Sequence, residues 1–289
     1  MRLLPQQRLL IELLSTLTLL ALLACQEEKA AEPRRAGLTH VEQSAHPVVV
    51  RVRKARVLFE EAKGRAWPPL SKRVTMAYAG IQRGHFKRAR SMLQQELDEN
   101  PQSGAAIYLL GCAWYREQQY AAAIPYFEKT LEIGPSFAGC ESVLYRYGRC
   151  LYNLGDAVGS RSAALAYLKL NQGNADALFL LGLADIEEAD LEAAIAHFKE
   201  ALAGFEANDS TEHPTTGDIA KCHARLGDVY LQQGKLARAQ TELQRCISLY
   251  PAHYEPYFML SRVLTRLGET EAAQHAMDQF LARKKQAGR

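Results

Sequence analysis

The stretch that decides the fold is residues 175–208, which read ADALFLLGLADIEEADLEAAIAHFKEALAGFEAN. Its apolar residues recur every three or four positions, which is the spacing of one face of an α-helix. Gly182 in the first half and Ala194 in the second half are small, and two helices approach closely where both side chains are small. The stretch therefore predicts two helices that are joined by a turn and packed against each other.

The same pattern recurs in six windows of 34 residues. The eighth and twentieth places hold a small residue in every window, so both helices of each pair specify the close approach. The second half of the third window, residues 160–174, matches the pattern least. The windows span residues 70–103, 104–137, 141–174, 175–208, 220–253 and 254–287.

Larger residues complete a signature around the small ones. Leu178 and Phe198 belong to it in residues 175–208, and Trp114 belongs to it in residues 104–137. Together with the 34-residue period, this signature resembles that of the tetratricopeptide repeat (TPR) family. The resemblance implies an all-α fold, a right-handed α-solenoid of about six TPR helix-turn-helix repeats with an N-terminal capping helix. In this family the first helix of each pair lines a concave surface that binds other proteins.

We expect the chain to divide into a signal peptide, a cysteine with a flexible tether, the capping helix with its linker, and the TPR domain. These segments are residues 1–24, 25–46, 47–69 and 70–287. Helical spacing of the apolar residues places the capping helix at residues 47–64, with Pro47 in its first turn. Between the fourth and fifth windows, residues 209–219 are rich in polar residues and are expected to form an exposed loop.

The N-terminus resembles the leader of a bacterial lipoprotein. Arg2 and Arg8 precede an apolar run, and Cys25 follows Ala24 where a lipobox cysteine would stand. By this resemblance Cys25 becomes the lipidated first residue of an exported, membrane-anchored protein. Gln26, rather than Asp, follows the cysteine, which favours the outer membrane over the inner membrane. A simple cleaved signal peptide and an uncleaved anchor are the alternatives.

Five places of each first helix lie beside the packed stripe and are expected to face the concave groove. Tyr and Arg are frequent at these places, and both supply a large contact area at a low ordering cost. The alternative is that some of the tyrosines only pack between neighbouring first helices. The candidate partner-binding residues are Tyr78, Tyr108, Tyr115, Arg116, Tyr145, Arg149, Tyr152, Asn153, Phe179, Asp228, Phe258, Arg262 and Arg266.

Composition and motifs argue against nucleic-acid binding and catalysis. The net charge is only +3, and the basic residues are spread along the chain. The sequence has no phosphate-binding loop and no His pair at the helix spacing of a metal site, so we expect no cofactor, no metal and no small-molecule substrate. If the protein were an enzyme or a small-ligand binder, Arg149, Tyr152 and Asp228 would be the polar candidates in the groove.

Cysteines other than Cys25 leave two interpretations. Cys222 and Cys246 would meet if the start of one first helix lies against the end of its second helix, and export would then allow a disulfide. Alternatively, all five remaining cysteines are small buried residues with free thiols.

Taken together, the sequence predicts a non-enzymatic scaffold that binds a peptide or helix of another protein in its groove. By resemblance, lipoproteins with about six such repeats assist the assembly of envelope complexes. A docking regulator of a cell-wall enzyme is the alternative, and an enzyme or small-ligand binder is the alternative from another class.

Overall fold

The computed structural model describes residues 46–209 and 215–287, so the predicted signal peptide and Cys25 lie outside the described residues. The described residues form thirteen α-helices and contain no strand. In chain order the helices are α1 (Pro47–Glu61), α2 (Lys72–Gln82), α3 (Phe86–Glu99), α4 (Gly104–Arg116), α5 (Tyr120–Ile133), α6 (Ser142–Asn153), α7 (Ala157–Leu170), α8 (Ala175–Glu187), α9 (Leu191–Ala207), α10 (Thr216–Gln232), α11 (Leu236–Leu249), α12 (Glu255–Leu267) and α13 (Thr270–Ala287).

Helices α2 to α13 form six consecutive hairpins, which we number 1 to 6. The two helices of each hairpin pack together, and the second helix also packs against the first helix of the next hairpin. One hairpin falls in each of the six predicted windows, which confirms the all-α repeat architecture. Five of the helices begin with a side-chain oxygen that accepts a backbone N–H of the first turn. These capping residues are Ser71, Ser103, Asp156, Asn174 and Asp190.

Glycines at the eighth place allow the two helices of a hairpin to touch. A Cβ atom built at Gly111 would lie 2.6 Å from the ring of Phe127, and one at Gly182 would lie 2.7 Å from the ring of Phe198. Gly227 faces a leucine of α11 in the same way. Because real Cβ atoms do not approach other atoms so closely, only glycine fits at these places without a shift of the facing side chain.

The predicted N-terminal capping helix is α1, and it does not cap hairpin 1. It packs instead against α7 and α5, the second helices of hairpins 3 and 2. Its buried residues are Val52, Ala55 and Phe59, and it ends at Glu61, three residues earlier than predicted. Since α1 does not cover hairpin 1, the side chain of Met76 on α2 remains 49% exposed.

The position of α1 explains why the third window departs from the repeat signature. Gly159, Ala163, Ala166 and Leu170 form a stripe at helical spacing on α7, and all four are buried. At one end of this stripe, a Cβ atom at Gly159 would lie 3.0 Å from the side chain of Val48 on α1. The small residues of α7 therefore pack against two helices, the first helix of the same hairpin and α1.

The connection between hairpins 4 and 5 is shorter than predicted. Helix α10 begins at Thr216, so the last part of the expected exposed loop is helical, and Ile219 is buried. The hydroxyl of Thr215 donates a hydrogen bond of 2.8 Å to the backbone oxygen of Phe205 at the end of α9. The apolar side chain of Ile219 packs with that of Phe205, which adds a turn to the start of α10.

Candidate functional site

A cavity of about 390 Å³ opens on the first helices of hairpins 1 to 3. Helices α2, α4 and α6 form its walls, and the connection between hairpins 2 and 3 closes one side. The structure brings together five of the predicted groove residues there. They are Tyr78, Tyr108, Tyr115, Arg116 and Tyr145.

Tyr108 forms the floor of the cavity. Its side chain is only 7% exposed, and its ring centroid lies 5.3 Å from that of Phe137 and 6.1 Å from that of Phe127. Its hydroxyl lies 2.7 Å from the Ser142 hydroxyl in a hydrogen bond between neighbouring first helices. Burial raises the pKa of Tyr108 above its ordinary value. This residue therefore fits the alternative interpretation, in which a tyrosine packs between the helices.

The other tyrosines form the walls and the rim. Tyr78 is 50% exposed at the open side. The half-buried ring of Tyr115 lies 5.9 Å from that of Tyr120 in an edge-on arrangement. The hydroxyl of Tyr145, also half-buried, donates a hydrogen bond of 3.3 Å to the carboxylate of Asp176. Burial raises the pKa of Tyr145 above its ordinary value, so this hydroxyl stays protonated at neutral pH.

Arg146 is a cavity residue that the sequence analysis missed. It lines the cavity, and its guanidinium carbon lies 5.5 Å from the centroid of the Tyr108 ring. Arg146 stands at the sixth place of its window, where the neighbouring windows hold the buried residues Leu109 and Leu180. The sixth place follows the second by four residues and precedes the ninth by three, so it shares their helix face. That spacing is the signal that would have found Arg146.

Arg116, Arg146 and Arg149 form a group that we call the arginine cluster. The guanidinium of Arg116 donates to the side-chain oxygen of Gln82 at 3.4 Å. Arg149 lies beside the phenol of Tyr115, and its Nε atom is buried without a hydrogen-bond partner. Among the residues that the structure describes, no member of the arginine cluster forms an ion pair.

Three predicted residues lie beyond the cavity, further along the first helices. Tyr152 lies near the charged side chains of Arg225 and Asp228, and burial raises the pKa of Tyr152. The carboxylate of Asp228 accepts a hydrogen bond from Gln232, one turn later in the same helix. Asn153 donates its amide to a backbone oxygen one turn earlier in α6. The polar groups of Asn153 and Asp228 thus already have partners within their own helices.

The last four predicted groove residues do not contribute to the cavity either. Phe179 packs its ring 5.3 Å from a phenylalanine ring of α9, inside hairpin 4. Phe258, which is 39% exposed, packs in the same way against α13. Arg266 donates to the backbone oxygen of Leu231 at 3.2 Å, which ties hairpin 6 to hairpin 5, and Arg262 is exposed.

The predicted pairing of Cys222 with Cys246 is not formed in the structure, where both are free, buried thiols. Cys246 packs against Ala220 and Ala224, whereas Cys222 packs against α9 residues that include Phe205. The physical reason is helical geometry, because Cys222 lies two residues from either alanine and so points to the other side of α10. Burial raises the pKa of the Cys222 thiol to about 12 and that of Cys246 to about 11.

The chemistry that the cavity offers is recognition through charge, aromatic surface and hydrogen bonds. Its one thiol, Cys112, is buried, and burial raises the pKa of Cys112, which keeps the thiol neutral at pH 7. In residues 46–209 and 215–287, no group of three or more His, Cys, Asp or Glu side chains is placed to hold a metal ion. Across the same residues, no helix combines the length and apolar character that a membrane crossing needs.

Comparison with protein families identifies the repeats. Residues 74–136 match one model of the tetratricopeptide repeat, and residues 220–253 match another. The first match spans most of hairpins 1 and 2 and includes four of the five predicted residues in the cavity. No curated protein sequence gives a significant match to the chain.

Solved structures show the same fold at low sequence identity. A structure of the APC/C hetero-tetramer Cut9–Hcn1 is 18% identical with a TM-score of 0.64, covering 80% of this chain but only 43% of the matched one. The structure of Pseudomonas aeruginosa pilF is 16% identical with a TM-score of 0.58, covering 82% of this chain and 99% of that one. YrrB, described as a TPR protein with an unusual peptide-binding site, is 17% identical with a TM-score of 0.50, covering 78% and 99%.

Proposed function

We propose that this chain, which carries tetratricopeptide repeats, is a non-enzymatic scaffold that binds a segment of another protein in the groove of its first helices. The observation that carries the proposal is the cavity of about 390 Å³ that spans three hairpins and is lined by Tyr78, Tyr115 and Tyr145. Its volume is in the range of sites that bury a ligand, and Tyr and Arg are the residues that most often dominate binding energy at interfaces.

Two further points support a protein segment as the occupant. The cavity is a section of a longer groove, because α2, α4 and α6 lie side by side and contribute equivalent places of the repeat. An extended or helical segment matches such a shape, since it presents side chains at regular intervals. Of the similar structures, YrrB is itself described as having a peptide-binding site.

Photo-crosslinking in the cells that make the protein tests the groove. The photoreactive residue p-benzoyl-phenylalanine replaces Tyr78, which is 50% exposed at the rim of the cavity. Val57 on α1 is the control position, because it is 41% exposed and lies on the side of the second helices. We expect a discrete crosslinked product from position 78 that is absent from position 57. Equal products from both positions, or none from position 78, would contradict the proposal.

The identity of the crosslinked protein also separates the two roles within this class. An assembly component of the bacterial envelope supports a scaffold that assists assembly, and a cell-wall hydrolase supports a docking regulator. Mass spectrometry of the product from position 78 makes this assignment.

We further propose that the protein is exported and lipid-anchored in the bacterial envelope, and we favour the outer membrane over the inner membrane. The support is the lipobox-like sequence that ends at Cys25 and the Gln26 that follows it. Because several acyl chains on one residue give stable anchoring, Cys25→Ser is expected to move the protein from the membrane fraction to the soluble fraction after export. Cys112→Ser is the matched control, and continued membrane association of the Cys25 variant would reject the lipid anchor.

A further inference from the structure

Within residues 46–209 and 215–287, the positive charges of the arginine cluster form no ion pair. Resting on the proposed function, we propose that the bound segment is acidic and places carboxylate side chains against Arg146 and Arg149, with Arg116 at the rim. An aromatic or aliphatic side chain of the same segment then fills the tyrosine-lined part of the cavity. The following observations carry this assignment.

Arg146 is surrounded by neutral groups. The side chains around its guanidinium include Tyr108, Cys112, Tyr115 and Tyr145, and none of these is a carboxylate. Desolvation of a charged group is unfavourable unless an opposite charge or strong hydrogen bonds compensate for it. The Tyr108 ring supplies a cation–π contact, but a ring does not accept the guanidinium N–H bonds that a carboxylate accepts. Arg146 therefore has unused capacity to bind an anion inside the cavity.

Arg149 lies one turn after Arg146 on the same face of α6. Its buried Nε atom has no hydrogen-bond partner. Asp176 accepts the hydroxyl of Tyr145. Burial raises the pKa of Asp176 and the charge of Arg149 opposes this rise, but the two residues form no ion pair. Arg146 thus lines the cavity, Arg149 lies one turn further along α6 outside the cavity lining, and neither forms an ion pair among the described residues.

Several partly buried arginines elsewhere in the described chain have carboxylate partners, whereas Arg283 donates to backbone and amide oxygens. Arg161 pairs with Asp185 and Glu188, and Arg90 pairs with Glu117. These arginines join helices through carboxylates. The arginine cluster forms no such pair in the described residues although Arg116 and Arg146 line the cavity, which indicates that its anions come from a partner.

The arrangement also favours an acidic segment over a basic or neutral one. Charge complementarity selects partners and accelerates their encounter, and a Lys or Arg side chain placed beside the arginine cluster would be repelled. Arg presents its N–H donors in a planar fork that matches the two oxygens of a carboxylate. Carboxylates come from Asp and Glu side chains or from a chain terminus, and we assign them to side chains because the two guanidiniums occupy neighbouring turns in the middle of the groove.

A random 12-residue phage-display library, selected on the full-length protein in detergent, tests this inference. We expect the selected peptides to be enriched in Asp and Glu by at least about threefold over the unselected library. The same selection on Arg146→Gln and on Arg149→Gln is expected to lose this enrichment. Arg245→Gln is the matched control, because Arg245 is exposed on α11 and lies outside the cavity. Circular dichroism establishes that each variant is folded.

Synthetic peptides from the selection give the affinities. Fluorescence anisotropy compares each acidic peptide with a twin in which every Asp and Glu is replaced by Asn and Gln. We expect binding to the twin to be at least about tenfold weaker, with a loss of similar size when the acidic peptide meets the Arg146 or Arg149 variant. Each acidic peptide is also made with a free and with an amidated C-terminus. We expect these two forms to bind with equal affinity.

Three results would overturn the inference. They are a selection without acidic enrichment, acidic enrichment that survives in both arginine variants, and affinity that requires a free C-terminus. The crosslink from Tyr78 separates these outcomes from failure of the proposed function. A crosslinked partner together with no acidic preference leaves the groove as a protein-binding site and rejects only its acidic ligand, whereas the absence of both rejects the groove.

Discussion

The two sides of hairpins 2 and 3 differ in whether their arginines form ion pairs within the described residues. On the side of the second helices, Arg51 of α1 forms an ion pair with Glu128 and donates to the hydroxyl of Tyr147, which in turn donates to Glu128. On the side of the first helices, Arg146 and Arg149 lie among tyrosines and form no ion pair with any residue that the structure describes. Tyr147 belongs to the same helix as both of these arginines, so α6 has one face whose polar groups are partnered and one whose charges are not.

In this molecule, a structural arginine differs from a functional one in whether an ion pair within the described chain balances its charge. A guanidinium that joins two helices through an ion pair has its anion in the chain, and its removal leaves that anion behind. A guanidinium without an internal anion contributes no such joint, and its retention in a desolvated position is explained by a ligand. The two sides therefore make opposite predictions for stability and binding.

Removing the main apolar side chain of α1 is expected to have the largest effect. Phe59 is only 5% exposed and packs in the core formed with hairpins 1 to 3. Phe59→Ala should lower the free energy of unfolding by about 3 kcal/mol, because it removes transfer energy and leaves a cavity. Urea denaturation measures this loss. Peptide binding to the folded variant should be unchanged, because Phe59 does not line the cavity.

Val57→Ala is the control for this experiment. Val57 is on the same helix but is 41% exposed, so its truncation should change the free energy of unfolding by less than about 0.5 kcal/mol. If Phe59→Ala lowered the free energy of unfolding as little as Val57→Ala, α1 would not be packed on α5 and α7. Arg51 of α1 would then not be an example of an arginine with a structural role.

The second prediction exchanges one arginine on each side for glutamine. Arg51→Gln should lower the free energy of unfolding by about 1 kcal/mol, because Glu128 loses an ion pair and Tyr147 loses a donor at a partly exposed site. Arg149→Gln should leave the free energy of unfolding unchanged or raise it, because a desolvated charge disappears without leaving an unpaired anion.

Urea denaturation of both variants checks the pair. A loss of stability in Arg149→Gln that equals the loss in Arg51→Gln would mean that Arg149 has a structural partner. Peptide affinity should show the reverse order, with a loss only in the Arg149 variant. Urea denaturation and peptide affinity together distinguish the contribution of each arginine to folding from its contribution to binding.

Much of the fold was predictable from the sequence, because small residues at fixed places of a 34-residue period determine how two helices meet. Gly182 and Phe198 are in contact as the pattern predicts. The position of α1 was not predictable in this way, since an amphipathic helix does not specify its neighbour. The sequence feature that indicates the position of α1 is the excess of small residues on α7, such as Gly159 and Ala166. The repeat signature does not require these residues.

The cavity was predictable in part for a related reason. The places that face the groove identified Tyr78, Tyr115 and Tyr145, because helix geometry repeats in every window. Arg146 was missed, because its place is filled by buried leucines in the neighbouring windows and therefore seemed to belong to the core. Tyr108 was assigned to the groove but is almost fully covered, since the connection between hairpins 2 and 3 folds over it.

The third and smallest expected effect concerns a carboxylate that is fully partnered. Asp185 is fully buried, and it accepts hydrogen bonds from Arg161 of hairpin 3 and from His197 of its own hairpin. The hydrogen bond to Asp185 raises the pKa of His197 above its ordinary value of about 6.5. A raised pKa in the folded state means that the protonated imidazole stabilises the fold. This contribution is complete below the unfolded pKa and disappears as the pH rises through the folded one.

The unfolding free energy should therefore fall as the pH is raised from about 6 to above the folded pKa of His197, by less than about 1 kcal/mol because the imidazole is partly exposed. His197→Gln should remove this pH-dependent part, and His275→Gln, at an exposed position of α13, should preserve it. Thermal unfolding at several pH values compares the variants. An unchanged pH dependence in His197→Gln would mean that Arg161 alone neutralises Asp185, so that a single internal guanidinium suffices for a buried carboxylate. One carboxylate would then be enough to pair one arginine in this fold. The arginine cluster, whose members have no such pair among the described residues, would differ from Arg161 all the more clearly.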